Sequence, residues 1–309
     1  MSVTVRSGPV RVLVPASSAN LGPGFDSMGL ALAVYDELIA MATEDEGVLI
    51  EIAGEGADDL PRDENHLVVQ AMNAAFDAMG QRPTGFVLRC RNAIPHGKGL
   101  GSSAAAVIGG MVLARAMIDG ADFDDDALLR AAVAFESHPD NLSAALHGGF
   151  TVAWLDEAGA PGAVRLDPDS RVRVIVAVPV DQLPTTRARE ALPETIDYAA
   201  ATHNLARSGL LVHAMTAEPT LLWEATSDRL HQRARAGVYP QSVALVDALR
   251  SAGLPAAISG AGPAVIVLTD DPQAAPRVED IASAAGSGQW SCREIPVSHP
   301  GAVERPIEV

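Results

Sequence analysis

A glycine-rich stretch from Ile94 to Gly110 contains the residue types best suited to binding a phosphate group. Three glycines alternate within it, and Ser102 and Ser103 follow them directly before a run of alanines. Glycine tolerates positive φ and lets the backbone approach a ligand, and the free N–H groups of a helix N-terminus attract anions. Since serine is a preferred N-cap residue, the pattern predicts a phosphate loop with these serines at the N-cap of a helix.

Lys98 lies inside the glycine stretch and is the only lysine in the sequence, since every other long basic side chain is arginine. A compact ammonium group is a common partner of phosphate oxygens, which supports the same interpretation. The alternative is an ordinary glycine turn before a helix, with lysine depleted by coding bias. The continuation into serines and alanines favours the phosphate loop.

Two other segments concentrate polar residues where apolar elements end. A predicted strand at Val10–Val14 leads into Pro15–Asp26, which reads P-A-S-S-A-N-L-G-P-G-F-D and predicts a loop that presents polar groups. Glu136–Asn141 reads E-S-H-P-D-N, in which Pro139 predicts a turn and Asn141 predicts the cap of the next helix. The first segment could also be a plain connecting loop, and the polar residues of the second could be either a set of ligands or simply a capped turn.

Arginines and a second glycine turn mark the later part of the chain. Thr185–Glu190 reads T-T-R-A-R-E at a predicted strand-to-helix junction, a common place for binding groups. Arg229–Arg235 is the densest basic run, and it fits either a solvated helix face or recognition of a carboxylate or phosphate by guanidinium groups. Ser259–Pro263 reads S-G-A-G-P between two predicted strands, where it can be a simple turn or approach the phosphates of a bound ligand.

The composition excludes several classes of function. A net charge of −17 argues against a surface for nucleic acid or for an anionic membrane. No apolar run approaches the roughly 18 residues of a membrane span, and no signal peptide is visible. Cys90 and Cys292 lie far apart without metal-binding spacing, which indicates a reducing compartment. We therefore expect a soluble, cytoplasmic protein that binds neither nucleic acid nor membrane.

Hydrophobic patterning predicts the elements that position these residues. Apolar residues on one face predict a helix at Asn65–Gly80, and Val172–Pro179 predicts a continuous apolar strand. A chain of 309 residues that is 48% hydrophobic can form two domains. Glycine, proline and acidic residues cluster at Asp156–Asp169, and we place the border there, between domains of residues 1–160 and 161–309.

Five of these segments, taken in order, resemble the motifs of the GHMP kinases, a family that includes galactokinase, homoserine kinase and mevalonate kinase. Pro95–Ala105 is similar to the family's phosphate loop, and Ser259–Pro263 is similar to its third motif. The other three, Pro15–Asp26, Glu136–Asn141 and Thr185–Pro193, resemble the forms found in the homoserine kinase branch. One glycine loop alone would be weak evidence, whereas five motifs in the family's order are specific.

The resemblance implies an α+β, two-domain GHMP kinase fold. An N-terminal ATP-binding domain would contain a left-handed βαβ unit, and a ferredoxin-like C-terminal domain would pack against it with the site in the cleft. Patterning alone would not predict that handedness, since about 98% of such connections are right-handed. The implied reaction is ATP-dependent phosphorylation of L-homoserine to O-phospho-L-homoserine on the route to threonine. ATP and Mg²⁺ are the implied cofactors, and a homodimer is possible.

The resemblance also assigns residues to the nucleotide and the metal. Ser103 and Glu136 would hold Mg²⁺, because hydroxyl and carboxylate oxygens suit a hard cation. The implied nucleotide-binding residues are Asn65 near the adenine, the loop residues Pro95, His96, Gly97, Lys98, Gly99, Leu100, Gly101, Ser102, Ser103, Ala104 and Ala105, and Gly260 and Gly262 of the second glycine turn.

Homoserine is a zwitterion with a terminal hydroxyl group, so its site needs three kinds of partner. By the same resemblance, Arg189 and Arg235 would bind the carboxylate and Asp26 would accept from the ammonium group. The residues implied to orient the remainder and aim the hydroxyl at the γ-phosphate are Asn20, His138, Asn141 and Thr185.

The implied catalytic residues are Asn141, Asp140 and Lys98. In mevalonate-type relatives an aspartate matching Asp140 is given the role of base, whereas homoserine kinases are thought to work without one. Phosphoryl transfer passes through a loose transition state, so positioning and charge stabilisation can carry most of the rate. The sequence departs from the branch's pattern at Ser137 and at 142–144, which leaves the local loop geometry open rather than the reaction class.

Two other functions stay open at the level of sequence. One is a GHMP kinase acting on another small alcohol, such as mevalonate, shikimate or a sugar, which would have less use for Asp26 and paired arginines. The other is a silent nucleotide-binding regulator on the same scaffold, against which the intact Ser103 and Glu136 argue. A Walker-type NTPase is excluded because no hydroxyl residue follows Lys98.

Overall fold

The computed structural model describes residues 3–181, 185–285 and 290–306, with the side chains of Thr185 and Thr186 outside that description. A seven-stranded sheet belongs mainly to the N-terminal half of the chain, and a four-stranded sheet belongs to the C-terminal half. Within the described ranges, no helix has the length and apolar character needed to cross a membrane.

The N-terminal half is built on one long strand of 20 residues, which pairs with three others. Its sheet contains β2 (Val10–Asn20), β3 (Gly24–Thr43), β4 (Gly47–Gly54), β5 (Gly85–Asn92), β7 (Phe150–Leu155), β8 (Pro161–Leu166) and β13 (Val303–Glu304). A separate pair is formed by β1 (Thr4–Val5) and β6 (Ile118–Asp119). The main path runs β13-β2-β3-β5-β4, while β7 joins β3 to β8.

The segment Pro15–Asp26 is mostly strand rather than the predicted loop. β2 continues to Asn20, and β3 begins at Gly24. Asn20, Leu21 and Asp26 have φ values of 69°, 49° and 55°, a region that residues other than glycine seldom occupy. The prediction was wrong because turn-forming residue types dominate this segment locally, whereas pairing with β3 holds it extended.

Four helices cover the N-terminal sheet. They are α1 (Leu67–Met79), α2 (Ser102–Ala116), α3 (Asp125–Ala132) and α4 (Pro139–His147). α2 is buried along most of its length, and its small residues allow close packing. A Cβ added at Gly110, for example, would lie 2.7 Å from the carbonyl oxygen of Val68 in α1. The small residues of α2 therefore allow this helix to pack closely against α1.

β4 and β5 pair in parallel and are joined through α1. Parallel neighbours need a crossover connection, usually a helix, because a tight turn cannot join them. This connection forms a βαβ unit. It also delivers the end of β5, at Asn92, to the start of the glycine loop.

The C-terminal half has the arrangement of a ferredoxin-like domain, as predicted. Its elements are β9 (Arg173–Pro179), α5 (Thr185–Glu190), α6 (Tyr198–Thr216), a short 3-10 helix (Pro219–Leu221), α7 (Leu222–Ala225), α8 (Pro240–Ser251), β10 (Ala256–Ile258), β11 (Val265–Thr269), α9 (Ala274–Ala284) and β12 (Trp290–Glu294). The strands are antiparallel in the order β10-β11-β9-β12.

After Arg173, β9 is apolar because both faces of its sheet are covered. Val174 and Val176 join the large core that includes the N-terminal sheet, whereas Ile175 and Ala177 join a second core with α8 and α9. Successive strand residues point to opposite faces, so a strand between two cores reads as a continuous hydrophobic run. This confirms the strand that the sequence predicts at Val172–Pro179.

The proposed domain border needs adjustment. β8 pairs with β7 along its whole length, from Phe150 opposite Leu166 to Leu155 opposite Pro161. A border after residue 160 would therefore cut this hairpin. We propose instead that the border lies at 167–172, with β13 returning to pair with β2 in the N-terminal sheet.

Candidate active site

A cavity of about 490 Å³ lies where the two halves of the chain meet, and residues from all five motifs line it. The predicted site residues on its wall are Asn20, Asp26, Pro95, Gly97, Lys98, Gly99, Leu100, Gly101, Ser102, Ser103, Glu136, His138, Asp140, Asn141, Arg189, Arg235 and Gly260. The fold thus brings together residues as far apart in the sequence as Asn20 and Gly260, which are 240 positions apart.

The glycine loop ends at the N-terminus of α2. Gly97, Gly99 and Gly101 have φ values of 65°, 77° and 69°, which glycine adopts without steric cost. Gly101 is the N-cap residue and Ser102 begins the helix, so the prediction of serine caps was wrong. The first turn of α2 offers N–H groups without partners inside the helix, which suits an anion.

Neighbouring motifs hold the glycine loop in place. The N–H group of Ser17 in β2 donates to the carbonyl oxygen of Leu100 at 3.1 Å. The hydroxyl of Ser259 donates to the carbonyl oxygen of Gly99 at 2.7 Å. A Cβ on Gly99 would lie 2.2 Å from the carbonyl oxygen of Ser259, so this close approach requires glycine. The second glycine turn therefore fixes the first.

Lys98 lines the cavity, but its ammonium group is engaged at the end of β9. It donates to the carbonyl oxygens of Val180 and Asp181, with a distance of 2.6 Å to the second. Burial lowers the pKa of this lysine. The bonds join the phosphate loop to the C-terminal half, and the catalytic role of Lys98 stays a prediction that requires its side chain to turn.

Ser103 and Glu136 meet on the cavity wall. Burial raises the pKa of the Glu136 carboxyl, and the hydroxyl of Ser103 opposes that rise. One hydroxyl and one carboxylate beside a phosphate loop are suitable ligands for Mg²⁺, which keeps several ligands from water and phosphate. The described ranges contain no cluster of three or more histidine, cysteine, aspartate or glutamate side chains that could hold a metal.

Asp26, Arg189 and His138 form a hydrogen-bonded group. Arg189 contacts the Asp26 carboxylate through Nη2–Oδ1 and Nη1–Oδ2 distances of 2.8 Å and 3.3 Å. His138 lies between them, with Nδ1 3.2 Å from Arg189 Nη2 and Nε2 3.4 Å from Asp26 Oδ2. Burial lowers the pKa of His138. Since a guanidinium only donates, Nδ1 accepts and the neutral ring carries its proton on Nε2.

Arg235 is 2% exposed and firmly positioned. Its Nε donates to the carbonyl oxygen of Ala188 at 2.9 Å, and its Nη1 donates to His231 Nδ1 at 3.1 Å. The guanidinium lies 5.4 Å from the ring centroid of Phe25, and His231 Nε2 donates to the Gly22 carbonyl at 2.8 Å. Arg235 therefore does not belong to a solvated helix face. Of the two interpretations of Arg229–Arg235, recognition of an anion by a guanidinium group is the one that fits Arg235.

Asn20 has a structural role that the sequence did not reveal. Its Nδ2 donates to the Gly260 carbonyl at 2.8 Å, and its Oδ1 accepts from the Asp26 N–H at 2.9 Å. The side chain thus holds Asp26 in its left-handed conformation and ties the turn to the second glycine loop. Its contact with substrate stays a prediction.

Asp140 and Asn141 lie inside the first turn of α4, for which His138 is the N-cap. The prediction that Asn141 caps this helix was therefore wrong, because the helix begins earlier, at Pro139. The Asn141 amide oxygen accepts from the Ser17 hydroxyl at 2.9 Å, and its N–H donates to the Asp140 carboxylate at 2.6 Å. Burial raises the pKa of Asp140 to about 7.

A smaller pocket of about 240 Å³ adjoins the cavity and shares Gly97, Ser102 and Ser103 with it. Two further residues of the predicted nucleotide set, His96 and Ala105, line this pocket. Its wall is largely apolar and also includes residues of β2, β3 and α1. A ligand whose phosphates lie on the glycine loop could therefore extend into it.

Of the predicted site residues, three line neither the cavity nor the smaller pocket, and the side chain of a fourth lies outside the described part of the structure. Asn65 is exposed, and Ala104 is fully buried in the core. Gly262 faces the ring of Tyr239 rather than the cavity. The side chain of Thr185 falls outside the described part of the chain, so its predicted contact stays untested.

Reasoning from the sequence missed several supporting side chains. Asp36 accepts from the N–H groups of Ala93 and Ile94 at 2.7 Å and 2.9 Å, and so fixes the chain that enters the glycine loop. Ser17 and His231 support Asn141 and Arg235 in the same way. The sequence pointed to Ser17 and His231, because they lie in the segments Pro15–Asp26 and Arg229–Arg235. It did not show which residue each of them would contact.

Comparison with known proteins identifies the family. Residues 66–149 match the model of the GHMP kinases N terminal domain, and 212–288 match that of the GHMP kinases C terminal. The homoserine kinases of Streptomyces avermitilis and Streptomyces coelicolor are each 47% identical to this chain over 304 residues, which is 98% of it and 97% and 96% of them.

A solved structure extends the comparison to the fold. The crystal structure of homoserine kinase from Cytophaga hutchinsonii superimposes with a TM-score of 0.86 over 98% of both chains, at 24% identity. The resemblance drawn from five motifs is therefore confirmed. The chain belongs to the GHMP kinase family, in its homoserine kinase branch.

Proposed function

We propose that this chain transfers the γ-phosphoryl group of ATP to the hydroxyl group of L-homoserine, giving O-phospho-L-homoserine and ADP on the route to threonine. The near full-length similarity to proteins named homoserine kinase supports the proposal. One observation carries it: a single cavity joins a phosphate loop to the carboxylate of Asp26 and the guanidinium groups of Arg189 and Arg235.

The charged groups opposite the loop match an amino-acid zwitterion. Asp26 and Arg189 form an ion pair with each other. A ligand with an ammonium and a carboxylate group could replace this pair with two new ones, ammonium with Asp26 and carboxylate with Arg189. Neither protein charge would then lose its partner. Arg235 is held rigidly by its contacts to Ala188 and His231, so it offers a preorganised second partner for the carboxylate. Mevalonate and shikimate lack an ammonium group, so they could not replace Arg189 as the partner of Asp26.

The glycine loop fits a polyphosphate, and the adjoining pocket fits the rest of a nucleotide. A Cβ at Gly101 would lie 2.0 Å from the Ser17 hydroxyl oxygen, so the backbone approaches its surroundings as closely as only glycine allows. Ser103 and Glu136 would hold Mg²⁺. When bound, this cation would offset the negative charge of the phosphate oxygens.

Transfer then depends chiefly on positioning. Asn141 accepts from Ser17 through its amide oxygen, which leaves the amide NH₂ group as the donor that it can offer to the substrate hydroxyl. Asp140, with a pKa of about 7, can accept the proton released from that hydroxyl as the reaction proceeds. We propose that it is not required as a base in advance of the transfer, because the transition state is loose.

The deciding experiment is a coupled assay of ADP release with L-homoserine, in which phosphorus NMR identifies the product. We expect a phosphate monoester on the homoserine hydroxyl. Faster turnover with mevalonate, shikimate or a sugar would reassign the substrate. Binding of ATP without turnover of any of these alcohols would instead favour a silent regulator.

A further inference from the structure

Arg235 is a buried guanidinium without a carboxylate partner among the described residues. Its side chain is 2% exposed, and no ion pair within 4 Å in the described ranges includes it, whereas Arg189 pairs with Asp26. A buried charge without a counter-charge is costly, so other groups must stabilise this guanidinium.

The hydrogen-bond partners of Arg235 are neutral. Nε and Nη1 donate to the Ala188 carbonyl and to His231 Nδ1 at 2.9 Å and 3.1 Å. Burial lowers the pKa of His231, so its ring is neutral at neutral pH and adds no second positive charge. Nη2 forms no hydrogen bond with the described residues, and Arg235 lines the cavity. The Nη2 group therefore remains for an anionic ligand.

Phe25 offers the face of its aromatic ring to two guanidinium groups. The ring centroid lies 5.4 Å from the guanidinium carbon of Arg235 and 5.6 Å from that of Arg189. The His231 ring stacks on it, with 4.9 Å between centroids and 27° between planes. An aromatic face attracts a cation within about 6 Å, most strongly where water is excluded. Unlike a carboxylate, it leaves the N–H groups of the guanidinium free to bind a ligand.

We infer that Phe25 is a positioning residue for recognition of the substrate's carboxylate group. Its ring stabilises Arg235 and Arg189 without using the N–H groups that the carboxylate would need. This inference rests on the proposed function and adds the residue that keeps both arginines available. Phe25 is not one of the described residues on the cavity wall, so it acts through the arginines. A phenylalanine that only packed against its neighbours would affect ligands with and without a carboxylate alike.

A substitution that removes the aromatic face and keeps an apolar side chain tests this inference. Phe25→Leu, or the more adaptable Phe25→Met if the first does not fold, should raise KM for L-homoserine about tenfold, with kcat within about threefold of the parent. Phe25→Tyr keeps the ring and should restore most of the affinity. Phe86→Leu, in the core of the N-terminal half, is the matched control and should lower stability without changing KM. Parent-like KM in the ring-free variants, or a loss confined to kcat, would overturn the inference.

A ligand without a carboxylate separates positioning of the arginines from general damage to the site. The compound 3-aminopropan-1-ol has the ammonium and hydroxyl groups of homoserine, and its Ki as a competitor of L-homoserine measures its binding. This Ki should stay within about twofold of the parent value in Phe25→Leu, so the preference for L-homoserine should shrink about tenfold. An equal loss for both ligands would overturn the inference in favour of a packing role.

A measurement on the ligand-free protein distinguishes failure of this inference from failure of the proposed function. In ¹⁵N-labelled protein, the Arg235 Nε–H signal is identified by its loss in Arg235→Lys. Its exchange with water should be at least about tenfold faster in the ring-free variant than in the parent, because the guanidinium loses a packed face. Unchanged exchange would overturn the inference whatever the substrate is. Faster exchange in the variant, with no phosphohomoserine formed by the parent, would contradict only the proposed function.

Discussion

Asp140 and Asn141 stand side by side in the first turn of α4, and both face the cavity. The surroundings of these two residues differ. Asn141 is held by the Ser17 hydroxyl, whereas Asp140 is almost completely removed from water and accepts from the Asn141 N–H. One is therefore suited to orient a hydroxyl group, and the other to take a proton near neutral pH.

The first prediction compares these two residues in catalysis. Asn141→Ala should lower kcat by roughly 10- to 100-fold, because the substrate hydroxyl loses its orienting partner. Asp140→Asn keeps an acceptor for the Asn141 N–H and should lower kcat by less than about tenfold. Steady-state kinetics with L-homoserine measures both. An unchanged kcat in Asn141→Ala would remove this residue from the mechanism, and a larger loss in Asp140→Asn would make Asp140 an essential base.

The second prediction concerns the stability of the fold against pH. The pKa of Asp140 rises from its ordinary 3.8 to about 7, so the folded state binds this proton more tightly than the unfolded state does. The parent therefore loses stability as pH rises from about 4 to about 7, and the full cost persists above that range. Asp140→Asn does not titrate, so it should be more stable than the parent above pH 7, by roughly 1–3 kcal/mol.

Urea unfolding at several pH values checks this. The difference between Asp140→Asn and the parent should shrink towards zero as pH falls to about 4. Asp122→Asn, at an exposed position before α3, is the control and should show no such trend. A difference that is equal at pH 5 and pH 8 would contradict the explanation.

At the scale of elements, the N-terminus of α2 is the part predicted to bind the phosphates. Gly101 adopts φ 69°, and its position leaves no room for a Cβ against the Ser17 side chain of β2. The strand, the loop and the helix are therefore packed so closely that the loop conformation follows from its neighbours. The helix-capping preference of serine contributes less to this conformation, since neither Ser102 nor Ser103 is the N-cap of α2.

The third prediction tests this packing. Gly101→Ala should weaken ADP binding by at least about tenfold, because the left-handed conformation and the contact with Ser17 both oppose a side chain. Gly209→Ala is a matched control in α6, where a Cβ meets no atom within 4 Å. Calorimetric titration with ADP should find the control equal to the parent. Equal affinity in Gly101→Ala would show that the loop is free to rearrange.

At the scale of the whole molecule, Lys98 connects the two halves. Its ammonium group leaves the phosphate loop and bonds carbonyl oxygens at the end of β9, just before the chain continues towards Arg189. The loop that would hold ATP and the segment that would hold homoserine are therefore linked by one buried side chain. Such a link allows binding at one part to affect the order of the other.

The fourth prediction removes this link. Lys98→Met should lower the free energy of unfolding by roughly 1 kcal/mol, because the carbonyl oxygens of Val180 and Asp181 lose a charged donor. Hydrogen exchange at 187–190 in α5 should also become faster than in the parent. Arg130→Met, exposed on α3, is the control and should change neither quantity. Unchanged exchange in Lys98→Met would show that α5 is ordered independently of this contact.

Much of the fold was readable from local patterns. The helix α1, the strand β9 and the paired strands β10 and β11 follow from periodicity and turn residues, which act over a few neighbouring positions. The segment Pro15–Asp26 was not readable in this way. Its prolines and glycines predict a loop, and its pairing with β3, the next strand along the chain, makes it a strand.

The sequence by itself determined the family and the set of residues with suitable chemistry, because the five motifs keep their residue types and order. The tertiary structure decided which of those residues meet. It paired Asp26 with Arg189, turned Lys98 to β9 and raised the pKa of Asp140 by burial. These features depend on burial and on contacts between residues far apart in the chain, which residue types and spacing do not encode.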